Sequence, residues 1–506
     1  MTPSVYSKHQ HIQRKTKIIC TIGPASETAE CIRELIKEGM NVARINFSHC
    51  KYDEALGRIK VLRQEREKLG VPLAIMLDTK GPEVRIFGYS KPVNILTGDT
   101  IYLESTDKQP DEVEEFPPEK RHFYTNLPHI DKICQMGTRV LLQDGFIETE
   151  VIQLHSQRPG AVTLRILNEG KLKDKAHLAV PGAHYPIPFM SEKDKKDIRF
   201  AVENNFEYIA LSFVRTTKDI ADVRELISAA KADTTIKLIA KIEDRQSLAN
   251  IDDIIHDADG IMIARGDLGV EVPIEELPTL QKNIIKRCYL AGKPVIVATQ
   301  MLESMTEKPY PTRAEVTDVA NAVLDLTSAV MLSGETAKGM HPARVVNMMG
   351  RIIDRTEAGI DYRTLARITH DYVNRDNITN IMAYSAVDTA HEWNARALSV
   401  ITASGIGARA LSKYRPSVPL YAFTHHDALY HQLALHWGVV PFLIKNPEGS
   451  RFSDVARHIM DILLEKDCVE KGDKLVLMAS SPFGKRRPTN TIRCEVVGDE
   501  AFHDET

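Results

Sequence analysis

The sequence lacks what would place it in a membrane, in an oxidising compartment or on nucleic acid. No apolar run approaches the roughly 20 residues that a membrane-spanning helix needs. The stretch from Met1 to Arg14 is polar and rich in His and Gln, without the apolar core of a secretory leader. Cysteines are few, odd in number and scattered: Cys20, Cys31, Cys50, Cys134, Cys288, Cys468 and Cys494 never form a CxxC pair. They read as reduced thiols, with no disulfide framework and no zinc site. A formal net charge of -4 offers no basic footprint for nucleic acid. There is no low-complexity tract, and no repeat beyond an alternation of strands and helices. These absences predict a cytoplasmic location. They also mean that any anionic substrate must be held by local Lys and Arg.

What is present is globular. At 506 residues the chain exceeds one ordinary core, and two to four domains are expected. Hydrophobic residues make up 43% and charged residues 26%, which suits a folded protein. The first ordered stretch, Lys17 to Thr21, reads as a buried strand closed by Gly23-Pro24. Ser26 is placed to cap a helix that carries Glu27 and Glu30 near its positive end and stops at Gly39. Strands follow at Val42 to His49 and at Leu73 to Asp78, each ending in polar residues.

This rhythm breaks near Val84 and resumes near Ser191. Between them lie short alternating runs punctuated by Thr97-Gly98-Asp99, Gln143-Asp144-Gly145 and Asn168-Glu169-Gly170, the pattern of an all-β insert. Its acidic patch, Asp111 to Glu119, reads as a solvated loop. Five further apolar strands follow: Tyr208 to Arg215, Ile236 to Glu243, Ile261 to Ala264, Pro294 to Gln300 and Ala329 to Glu335. Eight strands alternating with helices, with polar residues at every C-terminal end, predict a (β/α)8 barrel whose site lies at that rim. A doubly wound sheet would also alternate, but would not so readily place functional side chains at all eight ends. After about Gly359 the composition shifts to a separate α/β domain. The expected organisation is a tail at 1–14, a barrel from 15–83 and 184–359, an all-β lid at 84–183 and a C-terminal domain at 360–506.

The fifth strand carries the sharpest chemistry. Lys241 and Glu243 lie two apart and so share a face. An ammonium and a carboxylate together at a strand end suit an anion and a metal, and Asp267 after the next strand can add a second carboxylate. The alternative is a structural ion pair, but three charged groups on two successive strand ends are harder to explain that way. Arg44, Asn46 and Ser48 share a face of the second strand. With Asp78 and Thr79 on the third strand, Asn46 and Ser48 offer hard oxygen ligands of low net charge, as a monovalent cation prefers. A polar network tying two strands together is the structural alternative.

Six stretches in order carry a family resemblance: Lys15 to Pro24, Asn41 to His49, Leu77 to Glu83, Ala264 to Gly269, Ala298 to Leu302, and Leu332 to Gly339. The chain resembles pyruvate kinase nearly end to end. The resemblance implies phosphoryl transfer from phosphoenolpyruvate to ADP, giving pyruvate and ATP, in a homotetramer that uses Mg2+ or Mn2+ and K+. Glu243 and Asp267 would then hold the divalent ion. Arg44 and Lys241 would bind the phosphoryl group, with Lys241 offsetting the charge of the departing enolate. The Gly266 and Asp267 amides and the Thr299 hydroxyl would meet the substrate carboxylate. The likeness further implies nucleotide contacts from Asn46, His49, Arg85, Asp144 and Lys338, and K+ ligation by Asn46, Ser48, Asp78 and Thr79. K+-dependent members carry Glu after Gly-Pro where independent members carry Lys, and this chain has Glu83.

Some positions depart from the family. Asp244 stands where Asn is usual after Glu243. Ala176 to Gly182 replaces the usual Lys-Gly-Val-Asn-Leu-Pro-Gly of the lid, so a basic residue that usually meets nucleotide phosphates has no clear match, although Lys175 is near. Two other classes therefore stay open: a catalytically silent regulatory homologue, and a metal-dependent lyase or aldolase of the pyruvate class. In the C-terminal domain the loop from Thr402 through Ser404 and Gly405 to Gly407 ends a strand and opens a helix. It is expected to cradle a phosphorylated allosteric effector, helped by Arg486 and Arg487. A plain turn beside a solvated basic loop is the alternative.

Overall fold

The structure is a computed structural model that describes residues 14–89, 91–108, 112–113, 121–231, 235–372, 377–483 and 487–499. The acidic patch falls outside these residues apart from 112 and 113, and so do Arg486 and all of the expected tail except Arg14. Eight parallel strands close into a barrel in chain order: β1 (Lys17–Thr21), β2 (Met40–Asn46), β3 (Ala74–Asp78), β4 (Tyr208–Leu211), β5 (Lys237–Ile242), β6 (Gly260–Ala264), β7 (Val295–Ala298) and β8 (Ala329–Leu332). β8 closes the ring by pairing with β1, Lys17 opposite Ala329.

These strands are continuous apolar runs because both faces are covered. Ile18 and Cys20 face outward into the layer under the helices, while Ile19 between them faces the lumen. The lumen holds Ile19, Val42, Met76, Ala210, Ile239 and Met262, and is a packed core. Leu435 of the C-terminal domain completes that cluster, so the barrel floor is plugged from outside the barrel. Tyr208 Oη donates to the Gln432 carbonyl at 2.7 Å and anchors the plug.

The helix after β1 spans Ala29–Glu38, and its cap is Thr28, whose hydroxyl accepts from the Cys31 amide. The expected cap, Ser26, instead accepts the Gly23 amide at 3.1 Å and closes the turn before it. Gly39 ends this helix with φ 112°, as its left-handed position requires. Arg14 is not loose: its Nε lies 3.1 Å from Asp354 on the last barrel helix.

The insert after β3 folds as a second closed barrel of seven short strands between Arg85 and Ala179, with its own apolar core around Ile101, Phe123 and Leu164. The C-terminal part is a five-stranded sheet in which Ala397–Ile401 pairs in parallel with Leu420–Thr424 and Lys474–Ala479. All seven cysteines are free. Among the described residues no helix is long and apolar enough to cross a membrane.

The lid returns to the main barrel through Val180 to Ile187. There the Gly182 amide donates to Glu271 Oε2 at 3.2 Å, and Arg245 Nε donates to the Glu271 carbonyl at 2.8 Å. A cavity of about 290 Å³ separates lid from barrel here, lined by His177, Tyr185, Arg215, Asp244, Arg245 and Glu271 among others. Burial pushes the Glu271 carboxyl up to about 7 from 4.5, against the Gly182 amide, which favours the charged form. A carboxyl raised in the folded state binds more protons folded than unfolded, so its contribution is complete below pH 4.5 and is lost as pH rises through 7. The Glu271→Gln variant should therefore lose less stability than the unmutated protein between pH 5 and pH 8, by about 2 kcal/mol. Urea unfolding at the two pH values measures this, and parallel losses in both proteins would contradict it.

Candidate functional site

The inward faces that are apolar at mid-barrel become polar at its C-terminal end. Strand periodicity does this without further help: Ile239 faces the lumen, so Lys241 and then Glu243 follow on the same face. On β2 the series is Val42, Arg44 and Asn46, and on β3 it is Ala74, Met76 and Asp78. The register places Asn46 beside Asp78.

Asp78 joins the groups. It is 1% exposed, with Arg44 Nε 2.7 Å from Oδ2 and Lys241 Nζ 3.1 Å from Oδ1. Lys241 also lies 2.9 Å from Glu243 Oε1 and donates to Ser212 Oγ at 2.7 Å. Arg44 reaches Thr21 Oγ1 at 2.8 Å. Burial opposes the charge on Asp78, but Arg44 and Lys241 win and hold its carboxyl below the usual range. Burial likewise works against the Lys241 ammonium, and Asp78 with Glu243 raises its proton affinity overall. Glu243 goes the other way. Its carboxyl is raised by burial and by the charge of Asp267, although Lys241 and the Phe213 amide, 2.6 Å from Oε2, favour the anion.

Glu243 and Asp267 are thus two hard oxygen donors crowded at one mouth, one of them with its negative charge poorly compensated. That donor set fits Mg2+ or Mn2+. Among the described residues no group of three His, Cys, Asp or Glu side chains could hold a metal, so water or substrate would have to complete the shell. Gly266 and Asp267 lie in the short helix Arg265–Glu271, and the Gly266 amide already donates to Thr299 Oγ1 at 2.8 Å. Thr299 and Gln300 hold φ of 69° and 54°, and Phe213 holds 55°. Three non-glycine residues in the left-handed region around one cleft store strain where a site is built. Arg265 pairs locally with Asp318 at 2.7 Å.

The cleft of about 130 Å³ is lined by Arg44, Asn46, Asp78, Lys241, Glu243 and Asp267, together with Ser48, His49, Glu83 and Thr299. Ser48 does not continue the strand face as its spacing suggested. β2 ends at Asn46, whose Oδ1 accepts the Ser48 amide at 3.0 Å, so a turn places Ser48. Thr79 is buried, its hydroxyl accepting the Ser212 amide at 3.1 Å and its carbonyl accepting Ser212 Oγ at 2.7 Å. Glu83 is held by Arg85 at 2.6 Å. His49 is half-covered at the cleft edge; this partial desolvation lowers its proton affinity, Glu83 raises it, and Arg85, Arg44 and Lys338 lower it further. The predicted nucleotide residues of barrel and lid therefore share one electrostatic neighbourhood, with Lys338 exposed at its edge.

Asp244 turns away from Glu243 and Asp267. Its Oδ1 accepts the Ser247 amide at 2.7 Å and caps the helix Arg245–Ala249. In the lid, His177 sits with Nδ1 3.5 Å from Asp144 Oδ1. Its proton affinity is raised despite burial, by the Asp144 carboxylate and the charges of Asp267 and Glu83. Sequence reasoning counted this stretch as a missing base and overlooked the imidazole. It also overlooked Ser212, whose signal was present: it follows Ala210 on the inward face of the β4 stretch. The loop in the C-terminal domain is tightly made, with the Gly405 amide on Thr402 Oγ1 at 2.9 Å and Gly405 at φ 79°. A Cβ on Gly407 would sit 3.1 Å from Val400, so that glycine serves close packing against the sheet. Ser404 is exposed in the loop, and Arg487 is exposed on the strand-side connection.

Comparison with known proteins agrees with this architecture. The family model for the pyruvate kinase barrel domain matches residues 13–346, and that for the pyruvate kinase alpha/beta domain matches residues 380–494. The pyruvate kinase of Geobacillus stearothermophilus is 40% identical over 490 residues, covering 96% of this chain and 81% of that protein. That of Staphylococcus aureus strain MRSA252 is 41% identical over 489 residues, with the same coverage. A crystal structure of a pyruvate kinase from Cryptosporidium parvum superposes with a TM-score of 0.89 at 35% identity, covering 97% of this chain and 98% of that one. On its sequence and its fold alike, the chain belongs to the pyruvate kinase family.

Proposed function

We propose that this chain transfers the phosphoryl group of phosphoenolpyruvate to ADP at the C-terminal mouth of the barrel, forming pyruvate and ATP. The observation that carries the reading is the buried Arg44–Asp78–Lys241–Glu243 network, which aims two cations at a cleft bounded by carboxylates. Phosphoryl transfer asks for positioning and charge neutralisation more than covalent help. Arg44 and Lys241 bind the phosphoryl oxygens, and Lys241 remains beside the bridging oxygen as it departs with enolate charge. Thr299 and the Gly266 and Asp267 amides orient the carboxylate end, the Gly266 amide exchanging its present Thr299 partner for substrate. Glu243 and Asp267 hold Mg2+ or Mn2+, which supplies further neutralisation when bound.

His49, Arg85, Asp144, Lys338 and Asn46 face the nucleotide, and His177 supplies the lid cation on that side. Asn46, Ser48, Asp78 and the Thr79 carbonyl hold K+. The units 15–83 with 184–359, 84–183 and 360–506 act as catalytic barrel, lid and regulatory domain of a homotetramer. The loop from Thr402 through Ser404 and Gly405 to Gly407, with Arg486 and Arg487, receives a phosphorylated effector. A coupled assay for pyruvate from phosphoenolpyruvate, ADP, Mg2+ and K+ tests the activity as a whole.

Replacing Lys241 with Met should lower turnover by two to three orders of magnitude, since transition-state electrostatics of this kind are worth about 3 kcal/mol or more. Mn2+ binding, followed by electron paramagnetic resonance, should persist through Glu243 and Asp267. Near-normal turnover would remove Lys241 from the mechanism.

The His177→Ala variant should raise the KM for ADP about tenfold, ~1.4 kcal/mol of nucleotide binding, and leave the KM for phosphoenolpyruvate unchanged. Equal changes in both constants would point to a general disturbance of the lid.

Activity should rise steeply when KCl is added to a buffer free of K+ and NH4+, and much less with NaCl. Glu83→Lys should retain activity without K+, its ammonium standing in for the cation. Full activity of the unmutated protein in tetramethylammonium buffer shown by flame photometry to be free of K+ would overturn the assignment.

A further inference from the structure

Far from the catalytic mouth, where the barrel meets the C-terminal domain, positive charge is buried without matching acid. The helix Ile406–Lys413 and the turn after it bring Arg409, Lys413 and Arg415 to a small cavity whose barrel wall carries Lys293. His436 and Trp437 also line it, and no Asp or Glu does. Its volume is about 20 Å³, on the order of the space one solvent-sized or monatomic group occupies.

Arg415 is 3% exposed. Its Nη2 donates to the Leu326 carbonyl at 2.7 Å, and its guanidinium lies 4.4 Å from the Trp437 ring centroid. Its Nε and Nη1 are buried with no hydrogen-bond partner. The acid whose charge it feels, Glu357, already accepts the Lys15 and Thr16 amides. Lys413 is buried with no acid near enough to register, so burial alone draws its ammonium down to about 8. Arg409 and Lys293 do feel the Asp259 carboxylate, but it lies 3.1 Å from Arg224 and 3.6 Å from Lys237. Lys293 also feels Asp257 and donates to the His256 and Ala258 carbonyls, which leaves Lys413 and Arg415 as the unmatched charges. His436 is pushed down to about 3 by burial and by Arg409, Lys17 and Lys237, and stays neutral with an N–H to donate.

An unpaired buried charge is costly, and folded proteins meet that cost with a counter-charge or a bound ion. We propose that this cavity binds a monatomic anion, a halide of chloride size, which bridges Lys413 and Arg415 and ties the C-terminal domain to the barrel floor. Two idle guanidinium donors on one rigid plane suit a halide, and the cavity is too small for phosphate or a phosphorylated metabolite.

The protein is exchanged into sodium gluconate, an anion too large for the cavity. Its thermal midpoint is then followed while chloride replaces gluconate at constant ionic strength. Chloride should raise the midpoint saturably. In Lys413→Gln the half-saturating concentration should rise at least tenfold. No saturable rise with chloride, or the same half-saturation in Lys413→Gln, would overturn the proposal. Should Lys413→Gln fail to fold, bromide soaked into crystals of the unmutated protein decides the matter. An anomalous peak between Lys413 Nζ and Arg415 Nη1 supports the site, and peaks elsewhere alone exclude it.

Discussion

The site depends on one buried carboxylate. Asp78 shares its two oxygens between Arg44 at 2.7 Å and Lys241 at 3.1 Å, with Ser212 Oγ at 3.4 Å. Two cations brought this close would repel each other and resist burial. Asp78 makes their proximity tolerable. Arg44 has donors beyond those it spends on Asp78 and Thr21, while the three donors of Lys241 already meet Asp78, Ser212 and Glu243, so an incoming anion exchanges for one of them. Remove that carboxylate and Arg44 and Lys241 no longer share a geometry. The Arg44–Lys241 pair is thus an arrangement of three strands, β2, β3 and β5, rather than of any one.

The strands can support such a charged layer because what lies beneath it is rigid. Ile19, Val42, Met76, Ala210, Ile239 and Met262 fill the lumen, and Leu435 closes it from below. A packed apolar floor fixes each strand's height, and strand periodicity then fixes the next inward side chain above it. The strained residues cluster at the same level. Thr299, Gln300 and Phe213 hold left-handed backbone around the cleft, the cost being borne by the barrel beneath them. The Phe213 amide, turned inward by this conformation, meets Glu243 and helps to keep it charged.

The lid shows how substitutions within a family find new partners. Asp244 adds a carboxylate beside Glu243 and Asp267, yet it spends its acceptors on a helix cap and leaves their charge alone. The stretch Ala176 to Gly182 lacks the expected lysine, and His177 stands against Asp144 two positions beyond Lys175. The first outcome follows from hydrogen-bond satisfaction, and the second from the attraction between an imidazole and a carboxylate 3.5 Å away.

The barrel and the polar residues of its rim are legible in the sequence alone. Eight apolar runs separated by helical patterns admit few other closures, and period-two alternation puts Lys241 with Glu243 and Arg44 with Asn46. The motifs from Lys15 to Gly339 determined the family in the same way. Tertiary structure decided which residues meet across strands: Asp78 with both cations, Ser212 with Lys241, His177 with Asp144. It also decided that Thr28 caps the first helix where Ser26 was expected, and that Ser48 leaves the strand face at a turn. The division has a physical cause. Periodicity and turn chemistry are local properties of the backbone and can be read along the chain. Which buried charge is neutralised by which partner depends on strand register and burial, and those exist only once the barrel has closed.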